Sequence, residues 1–295
     1  MTDELELPAN LVDAAAQDLH ERRRDWVTRL PGIVAALAER WDLSVGAPFQ
    51  PGGQTAWVAP ARDAAGRDLV LKAGWTSEES RDEAAGLRLW AGRGTVMVHA
   101  DQVDGDTSAL LLEHARPGAE LGRSLPEEEQ DAVVAGLLRR LWVQPPAGHE
   151  FRPLAQMCEQ WAQEHEEDPR RTLDPGVTRA GLELWRSLPG TAPHEVLLLT
   201  DLHAGNVLSA GREPWLVIDP KPYLGDPAYD PVQHLLNCPG RLQADPAGLA
   251  DRMAGLCEVD AERFRLWLFA RCVVESPWWA ELAPVASTLA RVVQP

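Results

Sequence analysis

Asp201, Asn206 and Asp219 fall within nineteen residues, in Thr200-Asp201-Leu202-His203-Ala204-Gly205-Asn206-Val207-Leu208 and then Val217-Ile218-Asp219-Pro220-Lys221. Asp201 leaves the apolar run Val196-Leu197-Leu198-Leu199 into a loop. Asp219 closes a second run, Trp215-Leu216-Val217-Ile218. The spacing predicts a hairpin whose two ends fold together and bring the three side chains to one place. Such a set suits phosphoryl transfer. One carboxylate orients an attacking hydroxyl and accepts its proton. Mg²⁺ takes one or two protein oxygens and completes its shell with phosphates and water, so one Asn amide and one Asp meet its demand.

A second group carries positive charge. Of 28 basic residues only two are lysines, Lys72 and Lys221. Compositional bias explains the rarity, but an ammonium and a guanidinium are not interchangeable where space is tight. Lys72 ends the run Asp68-Leu69-Val70-Leu71, where a cation reaches α- and β-phosphates. Glu83, Leu87 and Trp90 recur at i, i+4 and i+7 of the helix that follows. Glu83 therefore shares the buried face, and a buried carboxylate needs a partner. Lys72 is the nearest candidate. Lys221, two residues past Asp219, can meet a transferred phosphate, brace its loop or lie on the surface.

The elements that must hold these groups are legible in outline. Residues 11–41 read as helical, with Pro31 opening a second helix after a break at Leu30. Period-two patterning predicts strands at 45–50, 55–61, 68–73, 94–100 and 108–113. Thr76-Ser77-Glu78-Glu79 reads as a capping box opening a helix to about Trp90. These make a five-stranded antiparallel sheet with one internal helix. Beyond Pro117 helices are expected at 126–142, 151–167, 175–187, 228–237, 246–256, 259–275 and 278–293, interrupted by the two strands around Asp201 and Asp219. The boundary falls at 113–118.

Composition narrows the class. The chain has 295 residues and a net charge of −17. It is large enough for two lobes with sizeable cores. The negative charge disfavours nucleic acid and anionic lipid as partners. No run approaches 18 apolar residues, so no membrane span is expected. Met1-Thr2-Asp3-Glu4-Leu5-Glu6 lacks an apolar signal core, and Cys158, Cys238, Cys257 and Cys272 show no CxxC pairing. Buried reduced thiols and a cytoplasmic location are expected. Oligomeric state is left open.

Taken together, these residues resemble the aminoglycoside phosphotransferase family, nearest its branch of streptomycin 6-kinases and hydroxyurea phosphotransferases. The marks are Thr55-Ala56-Trp57-Val58-Ala59-Pro60, Leu71-Lys72-Ala73-Gly74-Trp75, Glu83-Ala84-Ala85-Gly86-Leu87-Arg88-Leu89-Trp90 and Leu110-Leu111-Leu112-Glu113. They continue through Gly136-Leu137-Leu138-Arg139-Arg140-Leu141-Trp142, Asp201-Leu202-His203-Ala204-Gly205-Asn206 and Ile218-Asp219-Pro220-Lys221-Pro222-Tyr223-Leu224-Gly225-Asp226-Pro227-Ala228-Tyr229-Asp230.

The resemblance implies an α+β, protein-kinase-like two-lobed fold with a small five-stranded antiparallel N-lobe and a larger, mainly helical C-lobe. It implies an N-lobe over 1–113 with a helical N-terminal extension, a hinge at 114–118 and a C-lobe over 119–295. It implies ATP and Mg²⁺, with Asp201 as catalytic base, Asn206 and Asp219 on the metal, and Lys72 on ATP phosphates, held by Glu83. Glu113 begins the hinge that meets adenine. Pro51-Gly52-Gly53-Gln54-Thr55 stands in the place of the phosphate-covering loop; it is not GxGxxG, so Thr55 or nearby backbone N–H groups would serve. Lys221 is assigned to the phosphate side.

The acceptor expected is a small molecule bearing a hydroxyl, such as the cationic aminoglycoside streptomycin. Hydroxyurea or another metabolite is the alternative, and a catalytically weak nucleotide-binding sensor is a third reading. That third reading rests on one departure: the family usually has His-Gly before the catalytic Asp, and here Leu199-Thr200 stands there. His203 reads as a loop brace. Asp226 and Asp230 read as residues that fix their segment by pairing and capping. Glu164, Glu166, Glu167 and Asp168 read as a solvated acidic face, and the 12 tryptophans chiefly as core.

Overall fold

Alternation is what makes the central strands. Leu69, Leu71 and Ala73 are buried, while Val70 and Lys72 between them are only partly so. Successive side chains of a strand point to opposite faces, so one face of this run goes to a core and the other is left for polar work. The structure, a computed structural model, describes residues 5–18, 21–78, 80–168, 170 and 172–293. The chain divides between Gly118 and Ala119 into two compact units.

The first unit runs α1 (Ala9–Gln17), α2 (Glu21–Arg40), β1 (Leu43–Val45), β2 (Ala56–Asp63), β3 (Asp68–Trp75), α3 (Glu83–Trp90), β4 (Val98–Asp104) and β5 (Thr107–Glu113). The strands form one antiparallel sheet in the order β1-β2-β3-β5-β4. Trp26, Leu30, Val34 and Leu37 of α2 share a core with Trp57, Ala59, Leu71 and Ala73 of the sheet. Lys72 therefore sits on the sheet face opposite α2.

Four expectations for this unit are corrected. The helix does not break at Leu30. Pro31 lies inside α2, exposed, and the buried stripe Trp26, Val27, Leu30, Val34 and Leu37 continues on both sides of it. The lost N–H and the ring clash are tolerated because the stripe anchors both halves. The interruption instead comes after Gln17; Leu19 and His20 lie outside the described residues. The predicted strand 45–50 is β1 at 43–45, since Pro48 cannot donate and only Gly46 and Phe49 reach back to Pro60 and Val58. The predicted strand at 94–100 is likewise β4, four residues later.

The helix proposed from Thr76 begins at Glu83. Thr76 N–H goes to the Asp106 carbonyl, and Ser77 and Ser80 bond each other in a local turn. Glu79, the last residue of the supposed capping box, lies outside the described residues.

Strand β6 (Pro117–Glu120) leads into the second unit: α4 (Leu121–Ser124), α5 (Glu127–Leu141), α6 (Leu154–Glu167), α7 (Pro175–Ser187), β7 (Val196–Leu198), β8 (Val207–Ala210), β9 (Trp215–Val217) and β10 (Tyr223–Gly225). Helices α8 (Val232–Leu236), α9 (Pro239–Ala244), α10 (Pro246–Cys257), α11 (Ala261–Glu275) and α12 (Leu282–Leu289) follow. Helix α11 is buried on nearly every side, with Phe264, Trp267, Leu268, Phe269, Cys272, Val273 and Val274 inside, so it is the centre of this unit. Each such large apolar side chain contributes about 1.5–3 kcal/mol of burial.

The expected helices of this unit are present. The one expected at 228–237 shrinks to Val232–Leu236, because Asp226 holds Ala228 and Tyr229 in turns, and the one expected at 278–293 shrinks to Leu282–Leu289. Among the described residues, no helix is long and apolar enough to cross a membrane.

One pairing differs from the expected hairpin. Strand β7 does not pair with β9. It pairs antiparallel with β10, Leu198 opposite Tyr223, while β9 pairs with β8, Val217 opposite Val207. Strand β10 is three residues between Pro222 and Asp226-Pro227 and reads as loop in sequence. Its burial against β7, not a turn signal, makes it a strand.

Candidate active site

The second unit draws the predicted loop residues together by another route than the hairpin. Asp201 follows a tight three-residue turn centred on Thr200, closed by the Asp201 N–H to the Leu199 carbonyl at 2.7 Å. Thr200 has φ 47°, a region costly for a β-branched residue. The Lys221 N–H also reaches the Leu199 carbonyl, at 2.9 Å, and the Lys221 ammonium lies 3.0 Å from Asp201 Oδ2. Asp201 is therefore paired on one carboxylate oxygen. Among the described residues, no group donates to its Oδ1.

Asn206 is fixed on both sides. Its Nδ2 donates to the Asp201 carbonyl at 3.0 Å, and its own carbonyl accepts the Ile218 N–H at 2.9 Å. The first bond turns the amide so that Oδ1 points away from that carbonyl. The second brings Asp219 alongside. Asp219 has φ 52°, in the left-handed region like Thr200, a region that Asp42, Ala91 and Glu258 also adopt elsewhere. A cation that takes one amide oxygen, one carboxylate and otherwise phosphate and water fits this pair. No cluster of three or more His, Cys, Asp or Glu suited to a metal occurs among the described residues.

His203 braces the loop. Its Nδ1 accepts the Gly205 N–H at 3.1 Å, and a Cβ on Gly205 would come within 2.9 Å of the ring. Burial pushes its pKa below the usual imidazole range, with His234 and Lys221 adding to the effect and Asp201 opposing it. A neutral ring is what an accepting Nδ1 requires.

Asp230 anchors the turn from behind. It is fully buried and accepts the N–H groups of Leu199 and Thr200 and the Trp142 indole N–H. Burial outweighs these three bonds and pushes its pKa up to about 6. Asp226 accepts from Ala228 N–H, Trp267 Nε1 and Arg263. Both aspartates fix their segment.

The first unit holds the other predicted residues. Lys72 Nζ meets both oxygens of Glu83, at 2.8 and 2.7 Å, with the two side chains 13% and 4% exposed. Late initiation of α3 puts Glu83 at its first helical position, on the buried face with Leu87 and Trp90. Glu113 ends β5. Its N–H goes to the Met97 carbonyl and its carboxylate accepts the Met97 N–H. The Glu113 N–H is therefore engaged within its own unit. Thr55 is exposed, and its carbonyl accepts the Trp75 N–H at 2.8 Å.

No sequence motif announces what secures residues 51–55. Asn10 of α1 donates to the Gly52 carbonyl at 3.0 Å, and Arg23 of α2 donates to the Gln54 carbonyl at 2.6 Å. A Cβ on Gly52, which has φ 78°, would fall 2.4 Å from Pro8 Cβ. The Trp57 indole reaches the Glu6 carbonyl. The N-terminal extension thus straps this loop. Long-range backbone acceptance of this kind leaves no local motif to read.

The blander readings hold in the main. Arg186 pairs with Glu159 and Glu166, and Arg170 with Asp168, so much of the acidic face is compensated. Of the 12 tryptophans, Trp26, Trp57, Trp90, Trp185 and Trp267 are fully buried, five more are partly buried, and Trp278 and Trp279 are exposed, so the core reading holds only in part. All four cysteines are free and buried, and burial pushes their thiols up, to about 11 for Cys238 and about 12 for Cys257. They are inert at neutral pH.

Comparison with known proteins gives the family and the fold. The profile of a family described as aminoglycoside/hydroxyurea antibiotic resistance kinase matches residues 40–283. A hydroxyurea phosphotransferase of Kitasatospora aureofaciens is 37% identical over 287 residues, 96% of this chain and 82% of that one. A streptomycin 6-kinase of Streptomyces griseus is 32% identical over 287 residues, covering 94% of this chain and 92% of that one. Among solved structures, the choline kinase LicA from Streptococcus pneumoniae is similar in fold, with a TM-score of 0.59 at 14% identity over 89% of this chain and 97% of that one. The fold is protein-kinase-like.

Proposed function

The chain belongs to the aminoglycoside/hydroxyurea antibiotic resistance kinase family, and from that premise we propose that it transfers the γ-phosphoryl group of ATP to a hydroxyl of a small antibiotic, with Asp201 as the base. The observation that carries this reading is the Asp201 loop: one carboxylate oxygen held by Lys221, and Asn206 locked to the Asp201 carbonyl.

Asp201 Oδ1 orients the acceptor hydroxyl and takes its proton. The acceptor oxygen bonds to the γ-phosphorus as the bond to the β–γ bridging oxygen breaks and ADP leaves. Lys221 holds Asp201 in its direction and carries positive charge for the transferred group. Lys72, aligned by Glu83, contacts ATP phosphates. Asn206 Oδ1 and Asp219 would hold Mg²⁺, which would supply positive charge against the phosphates. The carbonyls of Gly52, Gln54 and Thr55 are engaged on one side, which leaves the loop amides and the Thr55 hydroxyl for phosphate. Glu113 begins the segment that meets adenine. ATP as donor implies action in the cytoplasm.

Streptomycin is the first acceptor to test, as the substrate named for a relative of 32% identity that aligns over nearly its full length. A second reading, hydroxyurea, has a specific ground in the relative of 37% identity. The test is incubation of purified protein with Mg-ATP and each acceptor, read by mass spectrometry of the acceptor. A gain of one phosphoryl group on either is expected. No phosphorylated product and no acceptor-stimulated ADP release would defeat the reading and favour a nucleotide-binding sensor.

A further inference from the structure

Thr200 occupies a position that its side chain makes costly. Its φ of 47° lies in the left-handed region, where glycine is comfortable and a β-branched residue is not. The structure shows a return for that cost. The Thr200 hydroxyl donates to the Lys221 carbonyl at 2.6 Å. The turn around Thr200 also accepts the Lys221 N–H at the Leu199 carbonyl. Lys221 is therefore tied to this turn through its N–H and its carbonyl, and its ammonium then meets Asp201, the residue the turn presents. A glycine at 200 would keep the turn and drop the hydroxyl tie.

We propose that Thr200 is a positioning residue for phosphoryl transfer: its hydroxyl clamps the Lys221 backbone, and so fixes the Lys221 ammonium against the Asp201 carboxylate. The clamp takes the place of the His-Gly corner that this chain lacks. The proposal deepens the phosphotransferase reading and rests on it for its kinetic consequences, but the clamp itself is a structural claim that can be read without turnover. Strain is kept because the hydroxyl needs it. Removing the side chain should relax the backbone while loosening the pair that does the chemistry.

Two variants separate this from a purely structural role. Thr200→Gly removes the hydroxyl and suits the backbone. Thr200→Ser keeps the hydroxyl without β-branching. With the acceptor found active, Thr200→Gly is expected to lower kcat by about 10- to 100-fold, the scale of a small misplacement of reacting groups. Its KM for ATP and its melting temperature should stay close to wild type, and Thr200→Ser should restore kcat.

A second readout needs no acceptor. The chain has two lysines, so mild amine acylation read by mass spectrometry compares Lys221 with Lys72 as an internal reference. Thr200→Gly should raise Lys221 labelling relative to Lys72 several-fold, and Thr200→Ser should not. Equal Lys221 labelling in wild type and Thr200→Gly overturns the clamp, whatever the kinetics. So does a kcat loss in Thr200→Gly that is matched by lost thermal stability and not rescued by serine. If wild type turns over no acceptor, the phosphotransferase reading fails, while the labelling ratio still decides the clamp.

Discussion

Asp230→Asn tests how the turn before Asp201 is held. Asp230 is fully buried, and its carboxylate accepts three N–H groups, from Leu199, Thr200 and Trp142. Two effects compete. The donors favour the charged form, and burial favours the neutral one. Burial wins, and the pKa rises from 3.8 to about 6. A pKa raised on folding contributes stability that is fully present below the unfolded value and is lost as pH rises through the folded one. The contribution is therefore present near pH 4 and lost by about pH 7. A shift of roughly two units corresponds to about 3 kcal/mol.

Asparagine cannot titrate, so this slope should vanish in the variant. Its Nδ2 would face one of the donors, most directly the Trp142 indole, and leave a buried N–H without a partner at a cost of about 1–3 kcal/mol. The two costs nearly cancel near pH 7. Urea unfolding of wild type and variant across this range isolates the term, because other groups cancel in the difference. The difference in unfolding free energy should move by about 2 kcal/mol in favour of the variant between pH 4 and pH 7, because pH 4 already lies just above the unfolded pKa. A difference that moves by less than about 1 kcal/mol would mean that Asp230 is ionised throughout in the fold, and would refute the claim that burial outweighs its hydrogen bonds.

Other predictions concern the first unit. Lys72→Arg should lower ATP turnover by at least about tenfold, because a planar fork cannot reproduce an ammonium held between both Glu83 oxygens, whereas a surface change such as Arg62→Lys should have little effect; steady-state ADP release checks it. Glu83→Ala should cost about 3 kcal/mol in urea unfolding, since it leaves a largely buried ammonium without its carboxylate. The double variant Asn10→Ala/Arg23→Ala should raise KM for ATP by roughly threefold or more while kcat stays within about twofold, because the 51–55 loop loses its strap and its preorganisation. An unchanged KM would show that the strap does not bear on nucleotide.

How much of this was legible follows from how local each signal is. Lys72 and Glu83 were readable because strand period and helix period each place one residue, and a buried charge demands a partner. Asp201, Asn206 and Asp219 were readable as a set from their spacing between two apolar runs, but the route that draws their loop together was not. It depends on β10, a three-residue strand whose pairing with β7 leaves no mark of its own. Pro31 misled because proline is a strong local breaker, and only the apolar stripe across it could outweigh that signal. The strap from Asn10 and Arg23, and the tie from Thr200 to Lys221, end on backbone carbonyls. A carbonyl has no residue type, so no motif announces it. Thr200 could be flagged as a departure from the family pattern, but its left-handed backbone could not be seen without coordinates.

The central claim is that Asp201 is the base for phosphoryl transfer to a small hydroxyl-bearing acceptor. The direct measurement is acceptor-stimulated ADP release by wild type and Asp201→Ala, with streptomycin and hydroxyurea as acceptors and Mg-ATP affinity measured by calorimetry on both proteins. Wild type should respond to at least one acceptor. The variant should bind Mg-ATP with similar affinity and lose about 10²- to 10⁴-fold in turnover, the range for removing a positioned base. Turnover in Asp201→Ala within a few-fold of wild type, with the acceptor still phosphorylated, would contradict it.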